Sequence, residues 1–439
     1  MPEIRAFRAL RYDPGTVPDL VRVVAPPYDV IAPARRAELA ARDPRNVVHV
    51  DLPVADDGGD PDERYRRAAR TYVGWRSDGT LRKDPRPALY VYEQVFALPG
   101  SADRRVQRGF YARVRLEQSG PGAGILPHEL TLAGPKEDRH KLLRATGANL
   151  SGVVGLYADP SGTADRLLAS VAATSPAAEL VDDDGVCNRL WVVPAHGVTT
   201  EVVSGLRAAA AAGPITIADG HHRYETALRY RDERRLTGSC DDDPAFDFLL
   251  MLLLETTASP PTVLPTHRVV RGLGSAAEGL AGAAGALFAV QPADRASLVA
   301  VFGPAAEGGG GRGRFGLWTR SGGAILDARP EAFGPYLPAG GPAVRRLDVT
   351  LVAITLERLA GIDREATASG GRIGYTTSLQ EAVAWVDAGE DGADAAFLLE
   401  PTPASEVAAV AAEGDVMPQK STYFYPKPLT GFVINPLEW

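Results

Sequence analysis

The longest apolar run in the chain, Phe246 to Leu254, is broken only by Asp247. It is too short to span a bilayer, so it predicts a buried strand or helix inside an ordinary protein interior. A chain of 439 residues is long enough to build one, with room for roughly two or three domains. Two further stretches, Ala88 to Ala97 and Arg105 to Leu116, alternate apolar and polar residues almost strictly. They flank Pro99-Gly100-Ser101-Ala102-Asp103, and period and turn chemistry together predict a β-hairpin.

The same logic predicts strands at Val153 to Tyr157, Leu190 to Val193 and Ile215 to Ile217. Helices are predicted from Ala34 to Ala41, Asp62 to Trp75, Asp165 to Ala173 and Glu137 to Thr146, with an amphipathic one from Leu347 to Leu359. Asp56 to Pro61 predicts an exposed loop. Pro26 and Pro27 remove two amide donors and extend the backbone, so Ala25-Pro26-Pro27-Tyr28-Asp29-Val30 predicts a rigid loop at a strand end. Beyond Arg268 the composition shifts toward Ala and Gly. Gly308 to Gly311 predicts a hairpin tip or flexible loop; no Lys-Ser or Lys-Thr follows at the spacing of a phosphate-binding loop. Strands and helices mix without a regular βαβ alternation, which predicts an α+β (mixed α/β) fold. Three regions are expected: 1–125 with the hairpin, 126–270 in the centre, and 271–439.

A formal net charge of −8 argues against nucleic acid or an anionic membrane as partner. Cys187 and Cys240 are the only cysteines and have no C-x-x-C spacing. A disulfide framework and a cysteine-ligated zinc site are therefore not expected. The start, Met1-Pro2-Glu3-Ile4-Arg5, lacks a signal-peptide pattern, so a soluble cytoplasmic protein is the expectation.

The chemistry concentrates at Asp219-Gly220-His221-His222-Arg223. A strand that passes through a glycine turn into a helix leaves free amides, and with the helix dipole these bind anions such as phosphate. Asp219 is a natural N-cap, or could face a metal ion or a hydroxyl nucleophile. His221, His222 and Arg223 put cationic or donor groups where a purely structural helix prefers acids. The plain alternative is an Asp-capped helix with partly packed histidines.

Pro127-His128-Glu129-Leu130-Thr131, followed by Gly134-Pro135-Lys136-Glu137-Asp138-Arg139, is a second cluster. It is not H-E-x-x-H, because Leu stands at 132. Glu129 could be a general base held by His128, and Lys136 and Arg139 could bind phosphate or carboxylate; the alternative is a solvated polar loop. Met417 to Lys427 is a third cluster, in which Lys420, Ser421 and Thr422 suit a substrate carboxylate or phosphate. His267 and Arg268 offer another anion contact, and Tyr28 and Asp29 a polar edge to the Pro-Pro loop.

Taken together, Ala25 to Val30, His128 to Arg139, Ala218-Asp219-Gly220-His221-His222-Arg223-Tyr224-Glu225-Thr226-Ala227 and Met417 to Tyr425 resemble the bacterial and archaeal family catalogued as domain of unknown function 1015. Locally, Asp219 to Arg223 after a strand is similar to the ParB/sulfiredoxin superfamily, in particular its free serine kinases. That resemblance implies a ParB/sulfiredoxin-like core whose turn and helix start bind nucleotide phosphates, with an acidic residue activating the serine hydroxyl. Sulfiredoxin chemistry is disfavoured because His221 stands where that pattern has its essential cysteine. ParB-type DNA binding is disfavoured because no basic helical array accompanies the motif.

The function expected is phosphoryl transfer on a small hydroxyl metabolite, serine or phosphoserine first. ATP, ADP or pyrophosphate would be donor or acceptor, with Mg²⁺ on Asp219 or Glu129. Catalytic roles fall to Glu129, Asp219, His221 and His222, and phosphate binding to Gly220, His222, Arg223, His267 and Arg268. Substrate binding falls to Tyr28, Asp29, His128, Lys136, Arg139, Lys420, Ser421 and Thr422. A metal- or His-assisted phosphate-ester hydrolase and a non-catalytic metabolite sensor are the alternatives.

Overall fold

In the computed structural model, residues 1–55, 58–118, 120, 122–129, 133–238, 242–303 and 312–439 are described. Leu130, Thr131, Cys240, the Gly308–Gly311 run and part of the predicted loop at Asp56 lie outside them. One mixed sheet has nine strands: β1 (Ile4–Arg5), β2 (Ala88–Ala97), β3 (Arg104–Arg115), β4 (Ile125–Leu126), β5 (Val153–Tyr157), β6 (Ala178–Val181), β7 (Cys187–Pro194), β8 (Ile215–Asp219) and β9 (Phe248–Glu255). Their order is β4-β8-β5-β9-β3-β2-β7-β6, with β1 beside β3. The long apolar run is β9, seated between β5 (parallel) and β3 (antiparallel). Every residue of β9 is buried, as befits a central strand covered on both faces.

The predicted hairpin is β2–β3. Its alternation separates two buried faces rather than a wet and a dry one. Leu89 and Val91 belong to one apolar cluster, Tyr90 and Tyr92 to another. On the first face pack α4 (Thr163–Ala172), α5 (Thr200–Ala210) and α6 (His221–Leu236) through Leu168, Leu206 and Tyr224. The other face merges into a core shared with α2 (Glu63–Ser77), a six-stranded sheet and α7 (Asp348–Ala360).

That second sheet comprises β10 (His267–Arg271), β11 (Phe288–Ala293), β12 (Arg314–Thr319), β13 (Gly322–Ala328), β14 (Ile373–Thr376) and β15 (Ala393–Leu398), in the order β11-β13-β12-β15-β10-β14. Helix α8 (Leu379–Ala388) covers its far face through Leu379, Ala382 and Val386. The fold is thus mixed α/β. Because β2 and β3 pair within the same sheet as β5, β8 and β9, the expected boundary at 125/126 runs through one sheet.

Two local expectations are corrected. The Pro-Pro loop does not follow a strand: Leu20–Arg22 is a single 3-10 turn, and Tyr28–Val30 forms another. The helix predicted from Glu137 starts earlier, as α3 (Ala133–Thr146), because nothing in Gly134-Pro135 obstructs a first turn, where proline lacks no needed donor. The C-terminal segment then crosses the molecule. Tyr423–Phe424 pairs with Val263–Leu264, Thr430 bridges Ala25, and Asn435–Pro436 pairs with Ala148–Asn149. This crossing brings distant loops onto the end of β8.

Candidate active site

Between Ile217 and Asp219 the register of β8 against β5 slips by one residue. Such a bulge re-aims the side chains beyond it. Gly220 follows at φ +92°, and α6 begins at His221. A Cβ on Gly220 would sit 2.9 Å from the Arg223 guanidinium, so only glycine permits both the turn and the folded-back arginine. The first turn of α6 holds no acid, and its N-cap makes no side-chain hydrogen bond. Asp219 is therefore not the cap the sequence suggests. Its carboxylate accepts from Arg223 Nη2 at 2.7 Å and from Lys427 Nζ at 2.6 Å. Lys427 and Arg223 outweigh the burial of Asp219 and hold its proton affinity far below the ordinary carboxylate range. Arg223 is anchored in turn to the Gly152 carbonyl at 2.5 Å and to Ser151.

These residues face a cleft of about 680 Å³. Tyr28, Asp29, Glu129, Asp219 to Arg223, Lys420 and Thr422 line it, joined by Thr266, Tyr375, Gln419, Tyr423 and Lys427. Opposite the turn, Glu129 bridges Met417 in parallel register and accepts the Lys420 amide at 3.2 Å. Lys420 adopts a left-handed conformation, φ +56°, which is costly for a side-chain-bearing residue and aims that amide. Burial pushes the Glu129 carboxyl up to about 6, against the pull of Lys420 and Lys427.

His128 joins the two walls. Its Nδ1–H donates to the Ile217 carbonyl at 2.5 Å, and its Nε2 accepts from Thr422 Oγ1 at 3.3 Å. Its peptide N–H donates to His221 Nε2 at 3.2 Å, and its carbonyl accepts the Met417 amide at 2.7 Å. Burial lowers His128 to about 4 and holds His221 well below the ordinary histidine range, so both rings are neutral. His222 is lowered too, by burial first. The positive charge expected of the histidines is carried instead by Arg223, Lys427 and Lys420.

Six expected residues lie off the cleft, and the first is His128, expected to bind substrate, which is fully buried and ties the two walls together from behind. Arg139 is buried, pairs with Asp138 and Asp51, and stacks 4.1 Å over the Tyr28 ring, so it props the Pro-Pro loop from behind. Lys136 pairs with Glu225 at 2.8 Å. Ser421 is buried and donates to the Pro418 carbonyl. Arg268 is buried behind the wall, donating to the Thr266 and Lys420 carbonyls. His267 accepts the Leu399 amide at 3.2 Å. The residue missed is Lys427: it lies in the quoted C-terminal cluster, but nothing local distinguishes it from Lys420. Tyr375, from a strand of the second sheet, carries no motif at all.

The geometry defines a mixed α/β protein in which a helix start without acidic residues shares a cleft with a carboxyl group of raised proton affinity. The chain belongs to the family described as protein of unknown function (DUF1015), whose model matches residues 4–350. Among curated proteins none matches. Among solved structures it is similar to a free serine kinase in complex with AMP, at 15% identity and TM-score 0.33, over 68% of this chain and 83% of that one. A conserved hypothetical protein from Pyrococcus furiosus is similar at 15% identity and TM-score 0.33, over 69% and 90%. SbnI from Staphylococcus aureus, with a C-terminal truncation, is similar at 11% identity and TM-score 0.35, over 72% and 84%. These likenesses are remote. Among the described residues, no helix is long and apolar enough to cross a membrane.

Proposed function

We propose that the chain is a phosphotransferase acting between a phosphoryl donor and the hydroxyl of a small carboxylate-bearing metabolite, with serine and phosphoserine the leading pair. One observation carries this: Glu129, able to exchange a proton near neutral pH, shares a cleft with the amide-rich start of α6. Amides at a helix start suit phosphate oxygens, and a general base works best with a pKa near the working pH. The cleft volume is in the range of small-molecule and cofactor sites.

In the forward direction the hydroxyl proton passes to Glu129 as its oxygen attacks the terminal phosphorus. The bond from phosphorus to the leaving oxygen breaks, and the charge developing there is met by the amides of His221 and His222 and by the cations around Asp219. Asp219 is a poor base, since both oxygens are engaged by cations; its role is to hold Lys427 and Arg223 in place. Lys420, exposed at the rim, faces the metabolite's carboxylate.

Among the described residues no three His, Cys, Asp or Glu side chains form a metal cluster. Mg²⁺ commonly rides on phosphates and waters with one or two carboxylates.

A phosphoryl-transfer panel tests the proposal: serine, threonine and homoserine with ATP, ADP and pyrophosphate, and phosphoserine with and without ADP, all with Mg²⁺. Transfer lost in Glu129→Gln is the expected result. Phosphate release from phosphoserine with no acceptor present would replace transfer by hydrolysis. Binding without any turnover would make the protein a sensor.

A further inference from the structure

A cavity of about 240 Å³ lies against helix α1 (Pro33–Arg42), and its basic side chains are already paired: Arg35 and Arg42 with Asp183, Lys427 with Asp219. A larger cavity, about 360 Å³, is different. It lies between the tip of the β2–β3 hairpin, which contributes Leu98, and the second sheet. Half-buried Val263 and Leu264 and buried Phe302 and Leu379 make its walls mainly apolar. Its size is in the range of small-molecule sites.

His267 lines this cavity and is fully buried. Successive side chains of a strand point to opposite faces. On β10, Arg268 turns toward Lys420 and Tyr375 at the back of the cleft, so His267 turns the other way. It shares that face with Val269, which packs in one cluster with Phe302 and Leu379. Burial lowers the ring to about 3, so it is neutral. Its Nδ1 accepts the Leu399 amide at 3.2 Å, and the ring proton therefore sits on Nε2. Among the described residues Nε2 has no hydrogen-bond partner. A buried N–H donor without an acceptor is costly, and a ligand that supplies one recovers that cost.

The charge of the lining decides what kind of acceptor fits. Arg105 and Glu400 have opposite signs, and Glu381 stands in the first turn of α8. No surplus of positive charge compensates a buried carboxylate or phosphate, whereas a neutral carbonyl loses little on leaving water. We infer that this cavity is a second binding site, for an uncharged, mainly apolar small molecule that presents a carbonyl oxygen to His267. The site stands apart from the phosphotransferase reading, since Thr377 is the one described residue that lines both spaces.

Ligand-observed NMR titration of the full chain tests it with three probes of similar shape: acetophenone, α-methylstyrene, in which a methylene replaces the carbonyl oxygen, and benzoate. Acetophenone should bind about tenfold more tightly than α-methylstyrene, the value of one neutral hydrogen bond, and more tightly than benzoate. Leu98→Trp, which fills the cavity from a half-buried position at the hairpin tip, should weaken acetophenone about tenfold. His267→Phe should abolish the preference for acetophenone over α-methylstyrene, a change that loss of stability alone does not produce. If that variant does not fold, the probe preference and Leu98→Trp still decide. Absence of acetophenone binding, equal affinity for acetophenone and α-methylstyrene, a preference for benzoate, or affinity unmoved by Leu98→Trp each overturns the site.

Discussion

On the wall built by α6, Asp219 is gripped by Lys427 and Arg223 and stays ionised far into acid. On the wall built by the C-terminal segment, the half-buried Glu129 has one backbone amide for a partner, and desolvation raises it to about 6. The same functional group is driven in opposite directions within one cleft. Two carboxylates whose environments push their proton affinities apart divide the work between them. On the proposed function, one fixes charge and the other exchanges a proton.

Substituting each in turn breaks that comparison most sharply. Asp219→Asn leaves two cations, their side chains only 10% and 13% exposed, without their counter-ion. The loss of one member of a buried pair costs about 3–5 kcal/mol, and chemical denaturation should show a fall of that order. Glu129→Gln preserves shape and the acceptor for the Lys420 amide. Its stability should stay within about 0.5 kcal/mol of the parent below pH 4.5 and exceed it above about 6, where the parent carries the charge, while turnover falls by about 10²–10⁴-fold, as for loss of a general base. Were Asp219→Asn folded normally and Glu129→Gln fully active, the two assignments would be exchanged.

The pH dependence of stability sharpens the contrast because its sign differs at the two sites. Glu129 binds its proton more tightly folded than unfolded, so its contribution declines as pH rises from 4.5 to about 6. Asp219 releases its proton more readily when folded, so its contribution is present above 3.8 and is lost as pH falls below it. Denaturation midpoints measured through this range should lose the upper slope in Glu129→Gln and the lower one in Asp219→Asn. Turnover should fall as pH drops through about 6, where Glu129 takes up its proton.

Much of this was readable from local pattern. The hairpin, the β8-to-α6 passage and the helix at Asp348–Ala360 carry their period and turn residues in the sequence itself. The second sheet does not. Gly322–Ala328 and Ala393–Leu398 are strands rich in Ala and Gly, residues with little strand preference, and they form because neighbouring strands pair with them on both sides, the second also being buried throughout. The same holds within the site. Glu129 and the Asp-Gly-His-His-Arg turn announce themselves by composition. Lys427 is 208 positions from Asp219, and Arg139 and Arg268 look like ligands until the fold reveals their buried partners. Whether an arginine faces the cleft or its supporting layer is decided by tertiary packing.

Gly220 is the hinge of the α6 wall. Gly220→Ala adds a Cβ at φ +92° and presses it against the Arg223 guanidinium. The conformational strain alone is of order 1–3 kcal/mol. Thermal or chemical denaturation should register it, together with weaker anion binding as Arg223 is displaced. An alanine variant with unaltered stability and affinity would mean that Arg223 can leave its place over the turn without consequence.

The smallest expected effect tests the joint between the walls. His128 is tied to Ile217 on one side and to Thr422 on the other, and Thr422→Val removes only the second tie while keeping the side-chain shape. A buried Nε2 left without its donor costs about 1 kcal/mol, so the stability loss should be of that size. The Asp219 wall should be undisturbed, because the contacts of His128 with Ile217 and His221 remain. The Glu129 wall is also held by the Met417 amide on the His128 carbonyl. The acid limb of the activity profile should therefore stay near 6, with turnover reduced only a few-fold. A shift of that limb in Thr422→Val would show that the threonine sets the environment of Glu129, and that the two walls are coupled through the histidine ring rather than through its backbone.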